Sequence, residues 1–180
     1  MYSHKHYEQS IKINSERLFL RPIDKSDTDL IVSWRNSSEV RSVSFDSTKL
    51  TIENHLKWLK SKRCNRVDYV FCEKTKGKAI GTVHFKNIDE NTGSAEAGKL
   101  LGDINFRKKG LAKEAFITWI KYGFDKLGLE AIYIFTRKNN TVNIKLNKAI
   151  GFNLVKQNDN QRTRENEFIK MEIFPKDLII

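Results

Sequence analysis

Cysteine is scarce in this chain of 180 residues: Cys64 and Cys72 stand alone, without C-x-x-C spacing or a nearby histidine cluster. That excludes a disulfide framework and a zinc ribbon, and it fits a reducing, cytoplasmic compartment. No metal site is expected. Cys72 sits in the strand-like Tyr69-Val70-Phe71-Cys72 and reads as a small core residue. Apolar runs are short, none approaching the roughly eighteen residues a membrane-spanning helix needs. Residues 1–14 read as a short polar extension carrying His4 and His6, and Met1–Ser10 lacks the apolar stretch of a secretory signal. Two phosphate-binding fingerprints are missing as well, G-x-x-x-x-G-K-[ST] and G-x-G-x-x-G. With neither repeats nor a linker, a single soluble domain over residues 1–180 is the expectation.

What the chain does have is apolar and basic. Apolar residues make up 39%, with eleven Phe, five Tyr and three Trp, which argues for a packed core and against disorder. The formal net charge is +11. Such a surplus favours anionic partners and disfavours polycationic substrates, although a basic surface can also serve solubility alone.

Periodicity lays out the elements. Arg17–Arg21 alternates like a half-buried strand that Pro22 ends. Asp24 or Ser26 caps a helix carrying Leu30, Ile31 and Trp34, which dissolves at Asn36-Ser37-Ser38. Thr51 starts a second helix with Ile52, Leu56 and Leu59 on its apolar face. Strands follow at Asp68–Glu73 and Ala79–Ile88, joined as a hairpin at Lys76-Gly77-Lys78, and Asn91-Thr92-Gly93 turns into Ala95–Leu101. A helix from Leu111 to about Leu127 is apolar except for a wet stripe of Glu114, Lys121 and Asp125, so it should be central, with Gly128 as its cap. Ala131–Phe135 is a buried strand. Val142, Leu146, Ala149 and Ile150 then mark a short amphipathic helix stopped by Gly151. Asn153–Lys156, a polar arm from Gln157 to Glu167, and Phe168–Phe174 complete a mixed, mostly antiparallel α/β (α+β) sheet with helices on both faces.

Arg107-Lys108-Lys109-Gly110-Leu111-Ala112 is the most informative stretch. A glycine between strand and helix lets backbone approach a ligand closely. The first-turn amides lack intrahelical partners, and the dipole and flanking cations favour an anion, so the stretch reads as a pyrophosphate site. Its R-x-x-G-x-A spacing resembles the Q/R-x-x-G-x-G/A acetyl-CoA signature of the GNAT N-acetyltransferase superfamily. Asn140 through Gly151-Phe152 resembles that superfamily's N-x-x-[A/S]-…-G-F element, and the element order is also similar.

The resemblance implies a GNAT fold splayed between its fourth and fifth strands, and direct acetyl transfer from acetyl-CoA to a primary amine. It assigns Arg107, Lys109, Gly110, Leu111 and Ala112 to the pyrophosphate, leaves Lys108 and Lys113 as solvated cations near the 3′-phosphate of CoA, and adds Asn140 and Asn143 from the second motif to the cofactor site. A bulge at Gly98 or at Leu100-Leu101-Gly102 would free backbone for pantetheine and an oxyanion donor. Glu96, eleven residues before Arg107, matches the spacing of the glutamate base of several GNAT enzymes; an outward-facing strand Glu is the plain alternative. His84 is a second base, a substrate contact, or a structural histidine. Asn147 occupies the position, five before Phe152, where many GNAT enzymes carry the Tyr that protonates the leaving sulfur. Tyr122 or a water is left to serve instead.

Trp34-Arg35-Asn36-Ser37-Ser38-Glu39-Val40 resembles the subgroup holding amino-sugar and ribosomal-protein Nα-acetyltransferases. In it, Arg35 and Arg41 would pair with a diphosphate and Trp34 would stack on a sugar or base. A core Trp34 and a helix-end Arg35 are the alternatives. The acceptor expected is the amino group of a nucleotide-linked amino sugar; a protein N-terminus is the runner-up, and a non-catalytic CoA- or RNA-binding protein the remote one. Nucleic acid is disfavoured because the Gln157–Glu167 arm mixes its charges and has no aromatic for stacking. No membrane partner is expected, and a homodimer is left open.

Overall fold

The computed structural model describes residues 11–44, 46–61, 65–155 and 167–180. One eight-stranded sheet runs in the order β1 (Ile13–Asn14), β2 (Leu18–Pro22), β3 (Val67–Glu73), β4 (Ala79–Asp89), β5 (Ser94–Leu101), β6 (Ala131–Arg137), β8 (Phe168–Ile173), β7 (Asn153–Leu154). Every neighbouring pair is antiparallel except β5 and β6. The helices are α1 (Thr28–Asn36), α2 (Ser38–Val43), α3 (Ile52–Lys60), α4 (Leu111–Asp125) and α5 (Thr141–Lys148).

Alternation along β3 explains the layering. Val67, Tyr69 and Phe71 join the main core under α4, while Val70 and Cys72 face a smaller cluster with Ile31 and Trp34 of α1. Both faces are covered, so all seven residues of β3 are buried. At the centre Trp119 of α4 stacks on Phe85, with ring centroids 4.7 Å apart, and tilts against Tyr69 at 5.0 Å. Lys121 and Asp125 form the wet edge of α4 as an ion pair of 2.7 Å.

Several expectations need correction. Ile13–Asn14 is not part of a polar extension but a short strand paired with Phe19–Leu20. The strand expected as fourth is therefore the fifth. The chain does not dissolve after Asn36: Ser37 accepts a hydrogen bond from the Val40 amide and caps the extra helix α2. In α3 the buried residue is His55, bonded to Thr28, whereas Ile52 is exposed. Glu114 is not a wet residue, since only 14% of its side chain is exposed and Ser15 and Arg17 donate to it. No register shift occurs at Gly98 or Leu100–Leu101; the irregular points lie at Phe71/Cys72 and Lys86/Asp89. The helix α4 ends at Asp125 with Lys126 as its cap, before Gly128. The polar arm lies outside the described residues up to Glu167, which pairs with Arg137. Among the described residues, no helix is long and apolar enough to cross a membrane.

Candidate active site

The two parallel strands stay together for three register pairs only, ending at Glu96↔Tyr133. Beyond them β5 continues along β4 and leaves β6. A cleft of roughly 860 Å³ opens at this divergence, walled by α2, β4, β5, the start of α4 and α5. The expected splay is thus present without the expected bulge: loss of the β6 partner alone frees one edge of β5.

At one end of the cleft Gly110 begins α4 in the left-handed region, with φ +76, and Lys108 precedes it at φ +60. The first helical bond is made by the Glu114 amide to the Gly110 carbonyl. The amides of Leu111, Ala112 and Lys113 therefore have no intrahelical acceptor. The loop is held from behind. Arg17 donates to the Lys109 carbonyl at 2.9 Å and to Glu114 at 2.7 Å, and Ser15 also donates to Glu114 at 2.7 Å. Arg107, Lys108, Gly110, Leu111, Ala112 and Lys113 line the cleft. Lys109 does not; its ammonium instead lies 5.1 Å from the Phe106 ring centroid.

Opposite, Asn140 caps α5 by accepting from the Asn143 amide at 3.1 Å, and the Asn143 side chain donates to Thr136 at 2.8 Å. Both asparagines line the cleft, as do Leu100 and Leu101. Val142 shows where amphipathic reading failed: it faces the cleft and is 77% exposed rather than packed in the core.

Deeper in the cleft, Glu96 receives the Lys86 ammonium at 2.9 Å and the Asn87 amide at 3.2 Å. His84 lies across the β4–β5 ladder from Gly98, where a Cβ would come within 2.3 Å of the imidazole. The absence of that Cβ makes room for the ring. Desolvation, and then Arg66, Lys86 and Arg35, hold this imidazole well below the usual histidine range, so it is neutral at physiological pH.

Asn147 is wholly buried, and its Oδ1 accepts from Lys99 Nζ at 2.6 Å. Lys99 lines the cleft, with its ammonium 4.0 Å from the Phe116 ring centroid. Desolvation pulls its pKa down to about 7. Sequence reading missed Lys99; the signal available was a lone cation among Ala95, Ala97, Leu100 and Leu101 on an otherwise apolar strand. Tyr122 is no proton donor here. It is buried in the core against Trp119 and Tyr69, and burial pushes its phenol up.

On the remaining wall the three residues expected to touch the acceptor separate. Trp34 packs in the α1 core cluster, against Gly102, where a Cβ would collide with its ring. Arg41 is turned away and donates to the Ser47 carbonyl at 2.9 Å. Arg35 is exposed, lines the cleft, and has no hydrogen-bond or ion-pair partner among the described residues.

Known proteins resemble this chain in sequence and in fold. An uncharacterized N-acetyltransferase, p20, of Bacillus licheniformis is 32% identical over 147 residues, covering 77% of this chain and 80% of its own. The spermidine N-acetyltransferase of Vibrio cholerae, solved with CoA and spermine, superposes with a TM-score of 0.78 at 19% identity, over 91% of this chain and 98% of that one. FdhC, a nucleotide-linked sugar GNAT solved without ligand, superposes with a TM-score of 0.76 at 18% identity, over 93% and 92%. At such identities these two structures speak for the fold alone. The model of the acetyltransferase (GNAT) domain matches residues 17–153, from the strand that anchors the α4 loop to the end of the second motif. The chain therefore belongs to the GNAT acetyltransferases, enzymes that take their acetyl group from acetyl-CoA, and its activity is N-acetyl transfer.

Proposed function

We propose that this N-acetyltransferase passes acetyl directly from acetyl-CoA to the amino group of a nucleotide-linked amino sugar. The carrying observation is Arg35, whose exposed guanidinium lines the cleft with no protein partner among the described residues. A diphosphate satisfies such a group bidentately. Glu39 and Asp46 line the same end and would accept hydrogen bonds from sugar hydroxyls. The surplus of cations, +11 overall, favours an anionic acceptor over a polyamine.

In this reading the pyrophosphate of acetyl-CoA sits on the amides of Leu111, Ala112 and Lys113, flanked by Arg107, Lys108 and Lys113. The fit rests on the left-handed Gly110, which keeps the approach clear of side chain. Asn140 and Asn143 border the pantetheine path. Glu96 removes the proton from the acceptor ammonium, directly or through water, while the neutral His84 contacts the acceptor.

The test is thiol release from acetyl-CoA with four acceptors: a UDP-linked amino sugar, the same sugar without its nucleotide, spermidine, and a peptide with a free N-terminus. Turnover concentrated on the nucleotide-linked sugar supports the proposal; turnover on spermidine or peptide alone replaces the acceptor. Removing the Arg35 guanidinium (Arg35→Ala) should raise the acceptor KM about 10- to 100-fold, the worth of a bidentate charged contact. The Kd for acetyl-CoA should stay constant, and a weakened Kd would reverse the orientation of the cleft. Glu96→Gln should lower kcat about 100-fold or more and leave acetyl-CoA binding intact. A wild-type rate in that variant across the pH range would transfer the base role to His84.

A further inference from the structure

The proton for the departing sulfur has no donor in the chemistry described so far. Asn147 stands where related enzymes place a tyrosine, and a carboxamide has no proton to give at neutral pH. The structure fills that place from another element. Lys99 lies three residues beyond the last β5–β6 pair, in the part of β5 that borders the splay. Its Nζ reaches across to α5 and donates to Asn147 Oδ1 at 2.6 Å, over the face of Phe116. No carboxylate pairs with Lys99 among the described residues, so nothing neutralises its charge. Asn147 accepts from the ammonium without being able to take its proton. Its own Nδ2 is buried and unpartnered, which leaves the amide oriented by Lys99 alone among the described residues.

We propose that Lys99 is the catalytic acid that protonates the leaving sulfur of CoA, with Asn147 as its positioning residue. The inference rests on reading this cleft as the acetyl-CoA site. In the reaction, the acceptor nitrogen's lone pair forms the new C–N bond at the thioester carbonyl carbon, and the carbonyl π pair moves to oxygen. As that pair returns, the C–S bond breaks with its electrons on sulfur. Sulfur takes a proton from Lys99 Nζ, giving the CoA thiol and a neutral amine. The proton shed by the acceptor nitrogen restores the ammonium through solvent, so amine plus thioester becomes amide plus thiol.

Desolvation at this place adds to the geometry. A lysine held near 7 carries its proton below that pH and releases it readily to a thiolate whose ordinary pKa is about 8.5. The sign follows: the acid form is present below about 7 and lost as pH rises through it, so kcat should carry a descending basic limb.

The experiment measures kcat against pH for wild type, Lys99→Met, Lys99→Arg and Asn147→Asp. Thiol release is read with a UDP-linked amino sugar and, separately, as slow hydrolysis of acetyl-CoA without acceptor. Sulfur departs in both reactions, so a wrong acceptor leaves the test intact. Calorimetry with acetyl-CoA runs alongside. The expected results are a loss of about 100-fold or more in both Lys99 variants, and no basic limb in Lys99→Met. Acetyl-CoA affinity should stay within about threefold of wild type, well under the effect of one lost charged hydrogen bond. In Asn147→Asp a carboxylate beside Nζ should move the limb upward by about one pH unit or more. A wild-type rate in Lys99→Arg would make the residue a fixed charge and overturn the proposal, as would a basic limb surviving in Lys99→Met. An unmoved limb in Asn147→Asp would remove Asn147 from its positioning role. Failure of the wild-type protein to bind acetyl-CoA would instead overturn the reading of the cleft itself.

Discussion

Replacing Gly110 with glutamate should eliminate acetyl-CoA binding while leaving the protein folded. The residue holds φ +76 at the mouth of α4, and a Cβ there meets only Arg17 Nη2, at 3.5 Å. The fold therefore admits a side chain sterically, and the left-handed backbone costs about 1–2 kcal/mol. The ligand does not admit it. The new carboxylate would stand at the proposed pyrophosphate site, beside the amides of Leu111, Ala112 and Lys113, opposing the ligand's charge and blocking its approach. Losing two such charge-assisted hydrogen bonds corresponds to well over about 100-fold in Kd. Gly110→Ala separates the contributions, since it carries the backbone strain without the charge and should weaken binding far less. Calorimetric titration of both variants, with circular dichroism to confirm folding, decides it. Wild-type affinity in Gly110→Glu would move the pyrophosphate elsewhere.

The second large effect concerns stability. Trp119→Ala removes a wholly buried ring packed against Phe85, Tyr69 and Tyr122, and should cost about 3–5 kcal/mol. For a domain of this size that is a fall in Tm on the order of 10 °C. Trp119→Phe should cost much less. The indole N–H is buried without a partner among the described residues, so removing it sacrifices no hydrogen bond and relieves an unsatisfied donor. Because acetyl-CoA binds the folded protein and not the unfolded chain, ligand binding and stability are linked. Acetyl-CoA at about 100 times its Kd should restore about 2.7 kcal/mol to the alanine variant. Thermal melts with and without acetyl-CoA measure both quantities. A Tm within a degree or two of wild type would mean that the core collapses around the missing ring.

Where each prediction draws its support differs along the chain. The hairpin at Gly77, the strand β6, the central α4 and the glycine opening it are all visible in local pattern, because period and turn chemistry depend on near neighbours. The continuous burial expected of β6 does not hold, since Tyr133 is only partly buried and Phe135 is exposed. Two failures were local as well. Ser37 with Val40 and Val43 carried a cap and an apolar spacing, yet six residues give too little periodicity to register as a helix. Val142 has the right residue type and spacing for a core, but the wall it faces is an open cleft. Hydrophobicity reports that a side chain is suited to burial and says nothing of what covers it.

The sequence by itself determined most of the order of elements, though not β1 or α2, together with the two motifs and hence the family, because these follow from spacing along the chain. Tertiary structure alone decided which charged groups meet. Arg35 and Arg41 are six residues apart, yet one lines the cleft while the other ties down a loop at Ser47. Lys99 and Asn147 are 48 residues apart and come within 2.6 Å. Their meeting requires β5 to part from β6 and α5 to close over the gap. The lowered pKa of Lys99 then comes from desolvation at that place, a property of the surrounding protein that no residue carries alone.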